Sequence, residues 1–188
     1  MNCVNFILVV KYKMYKLIAI SGNRCVGKDT LYNSLKSLNN NFKRYAFADT
    51  LKRDLKSLIY DQFGIDIFNV TSEEKEFIRP ILISYGSVWR ERDIDHWCKT
   101  VCNVIKNEPV NIIPVITDLR FENELVLLRK EFGATLFHIH IERANGIEPT
   151  AEEQKNIHTI NHLADYKLMW GDNTPEEILK VAKKICNM

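Results

Sequence analysis

Gly22-Asn23-Arg24-Cys25-Val26-Gly27-Lys28-Asp29-Thr30 is the stretch that decides how this chain is read. It follows a short apolar run, Leu17-Ile18-Ala19-Ile20, and precedes a pattern of helical periodicity over Leu31–Leu38. Strand, glycine loop and helix in that order predict a cradle for a phosphate chain. Two glycines let the backbone turn its N–H groups inward, and the helix N-terminus adds partial positive charge. Lys28, at the helix start, is placed to reach the terminal phosphates. Asp29 follows the lysine, so the hydroxyl suited to a metal ion comes one position later, at Thr30. A glycine-rich turn with an unrelated lysine is the alternative; the strand before and the helix after favour phosphate.

The bulk properties set limits on what surrounds this loop. The 188 residues suit one domain with a substantial core, read as 14–188 behind an extension over 1–13. A hydrophobic fraction of 46% and a charged fraction of 27% are those of an ordinary globular protein. A formal net charge of +2 argues against nucleic acid or an anionic membrane as the main partner, so any anion site is local. The five cysteines, Cys3, Cys25, Cys98, Cys102 and Cys186, lack the paired spacings of a disulfide framework or a zinc site, and reduced thiols fit the cytoplasm. Phe6–Val10 is too short to span a bilayer, and Lys11 and Lys13 follow it instead of preceding it, unlike a signal peptide. Met14 stands just before the first core strand, so 1–13 reads as an extension, a misassigned start or an extra edge strand.

Short strands alternate with longer helical patterns along the chain, which predicts an α/β domain, a parallel sheet with helices on both faces. The expected strands are Lys16–Ser21, Arg44–Ala48, Ile112–Thr117, Thr135–Glu142 and Tyr166–Trp170. A helix from Thr50 to about Phe63 places Leu51, Leu55, Leu58 and Ile59 on one face. Thr71 with Glu74 has capping-box spacing, and Pro80 marks a break or a first turn beyond it. Asp93 can cap a helix carrying Trp97, Val101, Val104 and Ile105. Gly133 stops a helix over Phe121–Phe132. Thr174-Pro175-Glu176-Glu177 opens the last helix, which runs to about Ile185. Arg143–His162, polar and with little periodicity, reads as a mobile insertion.

Phosphoryl chemistry needs cations at the ends of several strands, and the sequence offers them. Asp118 ends the most apolar strand, where it can hold magnesium through water, cap the following helix, or do both. Arg120, two residues on, can reach phosphates. Lys52 lies just past the second strand, where it neutralises a monophosphate or is simply solvated. Arg79, Arg90, Arg92 and Asp95-His96-Trp97 cluster between the second and third strands. Arg79 sits among apolar residues and therefore needs an anion, an acceptor phosphate or a carboxylate. Trp97 stacks on a base or fills the core. Arg143, at the root of the insertion, stabilises transferring charge or pairs with Glu142 or Glu148. His158, at the far end of that segment, is a weaker candidate.

Taken together, these pieces resemble the deoxynucleoside monophosphate kinases of bacteriophages and large DNA viruses. The motifs are Ser21-Gly22 through Thr30, Phe47-Ala48-Asp49-x-Leu51-Lys52, Arg79-Pro80-x-Leu82 with Gly86, and Asp95-x-Trp97. They continue as Thr117-Asp118-x-Arg120-Phe121-x-Asn123-Glu124 and Gly133-Ala134 leading to Ile139-x-Ile141-Glu142-Arg143, and span Tyr15 to Ile185 in order. The resemblance implies an adenylate-kinase-like P-loop fold with an NMP-binding insertion and a lid. It implies Mg²⁺-dependent transfer of the ATP γ-phosphate to a dNMP, with catalytic Lys28, Arg120 and Arg143. Gly22 through Thr30 would bind ATP, and Asp49, Lys52, Arg79, Arg90, Trp97 and Arg120 the dNMP. Thr30 and Asp118 would serve the metal. ATP and a dNMP are then the partners, in host cytoplasm if the source is viral, and a homodimer is compatible with the reading. Where the family's lid often reads His-x-(Ser/Thr)-Glu, this chain reads His158-Thr159-Ile160-Asn161. Animal-type phosphomevalonate kinases are partly similar, with a related loop and an Asp-x-Arg after the third strand. A nucleotide-sensing module without turnover is the non-enzyme alternative, and the presence of both Lys28 and Arg120 speaks against it.

Overall fold

Apolar runs flanked by amphipathic ones fold here into alternating strands and helices. A computed structural model describes residues 17–143, 151–171 and 173–188, with the side chains of 151–155 left aside. The strands are β1 (Leu17–Gly22), β2 (Phe42–Tyr45), β3 (Ile113–Leu119), β4 (Leu136–Arg143) and β5 (Tyr166–Trp170). The helices are α1 (Lys28–Leu38), α2 (Phe47–Phe63), α3 (Ser72–Arg92), α4 (His96–Lys106), α5 (Glu122–Phe132), α6 (Ala151–His162) and α7 (Pro175–Cys186). The sheet order is β2-β3-β1-β4-β5, and all neighbours are parallel.

Alternation along β1 supplies both layers of the core. Ile18 and Ile20 face a cluster with Leu31 and Leu35 of α1 and Ile178, Ala182 and Ile185 of α7. Leu17 and Ala19 face the opposite cluster, with Leu51, Leu55 and Ile59 of α2, Trp97 and Val101 of α4 and Leu125 and Leu128 of α5. A parallel sheet covered on both faces needs such apolar strands, and β1 is buried from Leu17 to Ser21. No helix among the described residues is long and apolar enough to cross a membrane.

Several boundaries differ from the sequence expectation, each for a physical reason. The second strand ends at Tyr45, and Phe47-Ala48 already belong to α2. The cause is remote: Asp118 accepts the N–H groups of Phe47 (2.9 Å) and Ala48 (3.0 Å), capping a helix whose own cap residue, Ala46, has no side chain for it. Pro80 neither breaks nor starts a helix but lies inside α3, on its exposed side, where water can serve the carbonyl left without a donor. Asp93 is the C-cap of α3, and Asp95 takes the N-cap of α4. Leu58 and Val104 point outward. Residues 151–162, read as aperiodic, form α6. The extension over 1–13 and the rest of the insertion, 144–150, lie outside the described residues.

Both predicted capping boxes are present. Thr71 pairs reciprocally with Glu74, and Thr174 with Glu177, whose carboxylate accepts the Thr174 N–H at 2.8 Å. Thr174→Ala should therefore cost ~1 kcal/mol, read as a lower denaturant midpoint at unchanged slope. An unchanged midpoint would mean that packing of Ile178 and Ala182 alone holds the start of α7.

Candidate active site

The glycine loop is held open by its own backbone. Gly22 has φ +135°, and a Cβ there would lie 2.2 Å from the Ile141 carbonyl oxygen of β4. Gly27 has φ +96°, and its Cβ would lie 2.5 Å from the Trp170 ring of β5. Cys25, between them, is left-handed at φ +61°. A larger residue at Gly22 would have to push the β4 backbone aside, and one at Gly27 the Trp170 ring. Helix α1 starts at Lys28 with no capping side chain, so its first-turn N–H groups and the positive end of its dipole face the loop. The Lys28 ammonium lies across the loop, donating to the carbonyls of Gly22 (2.8 Å) and Asn23 (2.6 Å). Thr30 is exposed on the first turn, and Asp29 pairs with Arg44 at 3.3 Å. Arg44 also meets Asp49 at 2.7 Å, so Asp49 is committed to an internal ion pair.

The end of β3 and the start of α5 place two acids around Arg120, the half-buried Asp118 and the buried Glu124. Asp118 is satisfied by α2, and burial pushes its carboxyl above the ordinary range against the pull of those N–H bonds and of Arg120 and Arg44. Glu124 accepts the N–H groups of Arg120 (2.9 Å) and Phe121 (3.0 Å). Burial, with Asp118 adding to it, raises the Glu124 carboxyl to about 8. Arg120 itself is exposed at the strand end. The Arg90 guanidinium stacks 4.6 Å above the Phe121 ring. Asn123 donates to the Ile94 carbonyl and to Asp95, both at 3.0 Å, tying the α3–α4 turn to the same corner.

On α3, the anion that Arg79 requires is a carboxylate. Arg79 donates twice to Glu76, at 2.8 and 2.7 Å, and Arg24 of the glycine loop reaches the same carboxylate at 3.3 Å. The Lys52 ammonium stands 5.7 Å over the Phe68 ring. Of its two readings, Trp97 takes the packing one: it is 6% exposed and donates to the Gly86 carbonyl. His96 stacks on Trp89 at 4.1 Å, half-buried, beside it, and Arg92 lies over the same Trp89. Arg143 ends β4, exposed and in register with Trp170. His158 is exposed on α6.

Ser21, Gly22, Asn23, Leu119, Arg120 and His140 line a narrow cleft together with Ile157 and Ile160 of α6. The loop, Arg120 and α6 thus share one space, and Lys28 spans the loop beside it.

Residues 20–134 match the family model for phosphomevalonate kinase. The chain belongs to the phosphomevalonate kinase family. Of the two families its motifs resemble, the match falls on this one. No curated protein matches the chain. Dephospho-CoA kinase from Campylobacter jejuni aligns over 92% of this chain and 99% of its own, at 15% identity and a TM-score of 0.54. A sugar kinase from a Janibacter species aligns over 90% and 92%, at 13% identity and a TM-score of 0.51. These likenesses show the fold, that of the P-loop kinases.

This member of the phosphomevalonate kinase family also carries site residues that sequence reasoning missed. Glu76 stands three residues before Arg79, a helical pairing distance that was there to be read. His138 and His140 interrupt the otherwise apolar β4 at a spacing of two, which puts both on one face. Ser21 bonds to both rings.

The raised Glu124 carboxyl gives a pH test. In the folded chain it keeps its proton up to about 8, whereas unfolded it releases it near the ordinary 4.5. Stability should therefore fall as pH rises from about 4.5 to 8, by on the order of a few kcal/mol. Glu124→Gln, whose amide oxygen still accepts both N–H groups, should flatten that fall. Denaturant titrations at pH 5 and pH 8 compare the two; equal slopes would place the Glu124 charge elsewhere.

Proposed function

We propose that this chain is an ATP-dependent kinase that phosphorylates the phosphate of a small phosphomonoester, with a deoxynucleoside monophosphate as acceptor. The observation that carries this reading is the glycine loop leading into the uncapped start of α1, with Gly22 and Asn23 of that loop lining one cleft with Arg120. Donor phosphates would lie on the loop N–H groups, with the Lys28 ammonium exchanging its two carbonyl partners for phosphate oxygens. An acceptor phosphate has lost most of its second proton by neutral pH, so it needs orientation more than a base. One of its oxygens attacks the γ-phosphorus, the bond to the β–γ bridging oxygen breaks, and ADP leaves with that electron pair. Arg120 grips the equatorial oxygens between the two phosphate chains, and Arg143 adds charge from the end of β4. Thr30 and Asp118 offer hard oxygens, the donor chemistry that Mg²⁺ takes, and Mg²⁺ bound with ATP supplies charge neutralisation. Both Asp118 oxygens already accept N–H bonds, which suits contact through water.

Arg79, Lys52 and Arg90 would hold the acceptor, with Arg79 trading Glu76 for phosphate. The half-buried Trp89–His96 stack and Phe121 beneath Arg90 provide flat faces that suit a base. The family match favours a second reading, phosphomevalonate as acceptor, which needs the same cations and no flat face.

Coupled ADP release across dNMPs, NMPs and phosphomevalonate tests both. We expect several dNMPs to be accepted, deoxy forms at least as well as ribo forms. Turnover with phosphomevalonate alone would establish the second reading, and ATP binding without ADP release from any acceptor would make the chain a sensor. Lys28→Ala should lower kcat by on the order of 10²–10³ in a correctly folded protein. Arg120→Lys should also turn over poorly, because a point charge replaces a two-pronged grip; equal single-turnover rates would mean that Arg120 is structural. Arg79→Ala should raise the acceptor KM far more than that for ATP.

A further inference from the structure

Strand β4 would be a plain apolar core strand but for His138 and His140. Its parallel register sets His140 beside Ser21, the last residue before Gly22. The Ser21 hydroxyl lies 2.7 Å from His138 Nε2 and 2.8 Å from His140 Nδ1. One hydroxyl has one proton, so it donates to one ring and accepts from the other. Glu142 Oε1 faces His140 Nε2 at 3.7 Å, beyond hydrogen-bond reach. Burial holds both rings neutral, lowered to about 4.

The same Glu142 oxygen accepts a hydrogen bond from Asn161 of α6. The polar row therefore runs His138, Ser21, His140, Glu142, Asn161, hydrogen-bonded at every step except the 3.7 Å between His140 and Glu142, from beneath the glycine loop to the helix that lines the cleft. Its middle member, His140, lines that cleft beside Arg120, and α6 contributes Ile157 and Ile160. Nothing in the kinase chemistry proposed above uses Glu142 or Asn161.

We propose that Glu142 is a positioning residue that latches α6 onto the phosphate cleft by holding Asn161, beside the His140–Ser21 pair at the root of the glycine loop. With the latch engaged, Ile157 and Ile160 stay seated and keep water from the transferring phosphate. The effect on turnover rests on the kinase reading; the seating of α6 does not.

A swap of partners in the full chain tests it. Asn161→Asp sets a carboxylate against Glu142, and should speed amide exchange over 156–162 by ~10-fold and lower kcat/KM for the acceptor similarly. Asn161→Ala, which deletes the donor without adding charge, should give a smaller change in the same direction. Glu142→Gln still accepts from Asn161 and should stay near wild type. In the double variant Asn161→Asp with Glu142→Gln, the new amide can donate to the new carboxylate, and exchange and kcat/KM should return to within about 3-fold of wild type. A double variant as impaired as Asn161→Asp alone, or unaltered exchange in Asn161→Asp, overturns the latch. Absence of ADP release by the wild type overturns the kinase reading alone, and the exchange data still judge the latch.

Discussion

The half-buried carboxylate of Asp118 ties the end of β3 to the start of α2, and the placement of α2 depends on that tie. Without it the first turn of α2 would have two unmet N–H groups and no side chain to meet them. Helix α2 carries Lys52 and packs against α3 and α4, so its origin sets the position of Arg79 and of the aromatic stack as well. Glu124 repeats the device one turn later, serving the backbone of Arg120 and Phe121. Burial is what pushes the Glu124 carboxyl to about 8, with the nearby Asp118 charge adding to it. Arg120 thus stands on a corner built from one acid that caps a remote helix and another that keeps its proton.

Arginines near the glycine loop and on α3 have partners of the protein's own. Arg79 and Arg24 share Glu76, and Arg44 shares Asp29 and Asp49. These pairs are partly exposed, so each contributes little stability and can be exchanged for a phosphate at modest cost. The carboxylates keep the guanidinium groups oriented and prevent mutual repulsion around the loop.

Short-range features were legible in the sequence, and long-range ones were not. The glycine loop, the strand containing Val115 and Ile116, and the caps at Thr71 and Thr174 are each written within a few residues. The start of α2 was misplaced because its cap comes from Asp118, 71 residues away. Pro80 reads as a helix breaker, yet α3 continues through it because the lost bond faces solvent. Arg79 announced that it needed an anion, and only the fold showed which. The partnership of Ser21 with His138 and His140 depends on the β1–β4 register, which no local pattern encodes. The polar composition of α6 hid its helix, since among its described residues Ile157 and Ile160 are the two apolar side chains.

Trp170 gives the edge strand β5 a part in the centre of the molecule. Its ring fills the place where any side chain at Gly27 would stand, so the loop rests on an aromatic floor. A residue of the outermost strand thus limits how closely the loop can approach the sheet at Gly27. Trp89 and Trp97 lie apart, on α3 and α4, which leaves Trp170 as the indole under the loop and a built-in optical gauge of its height.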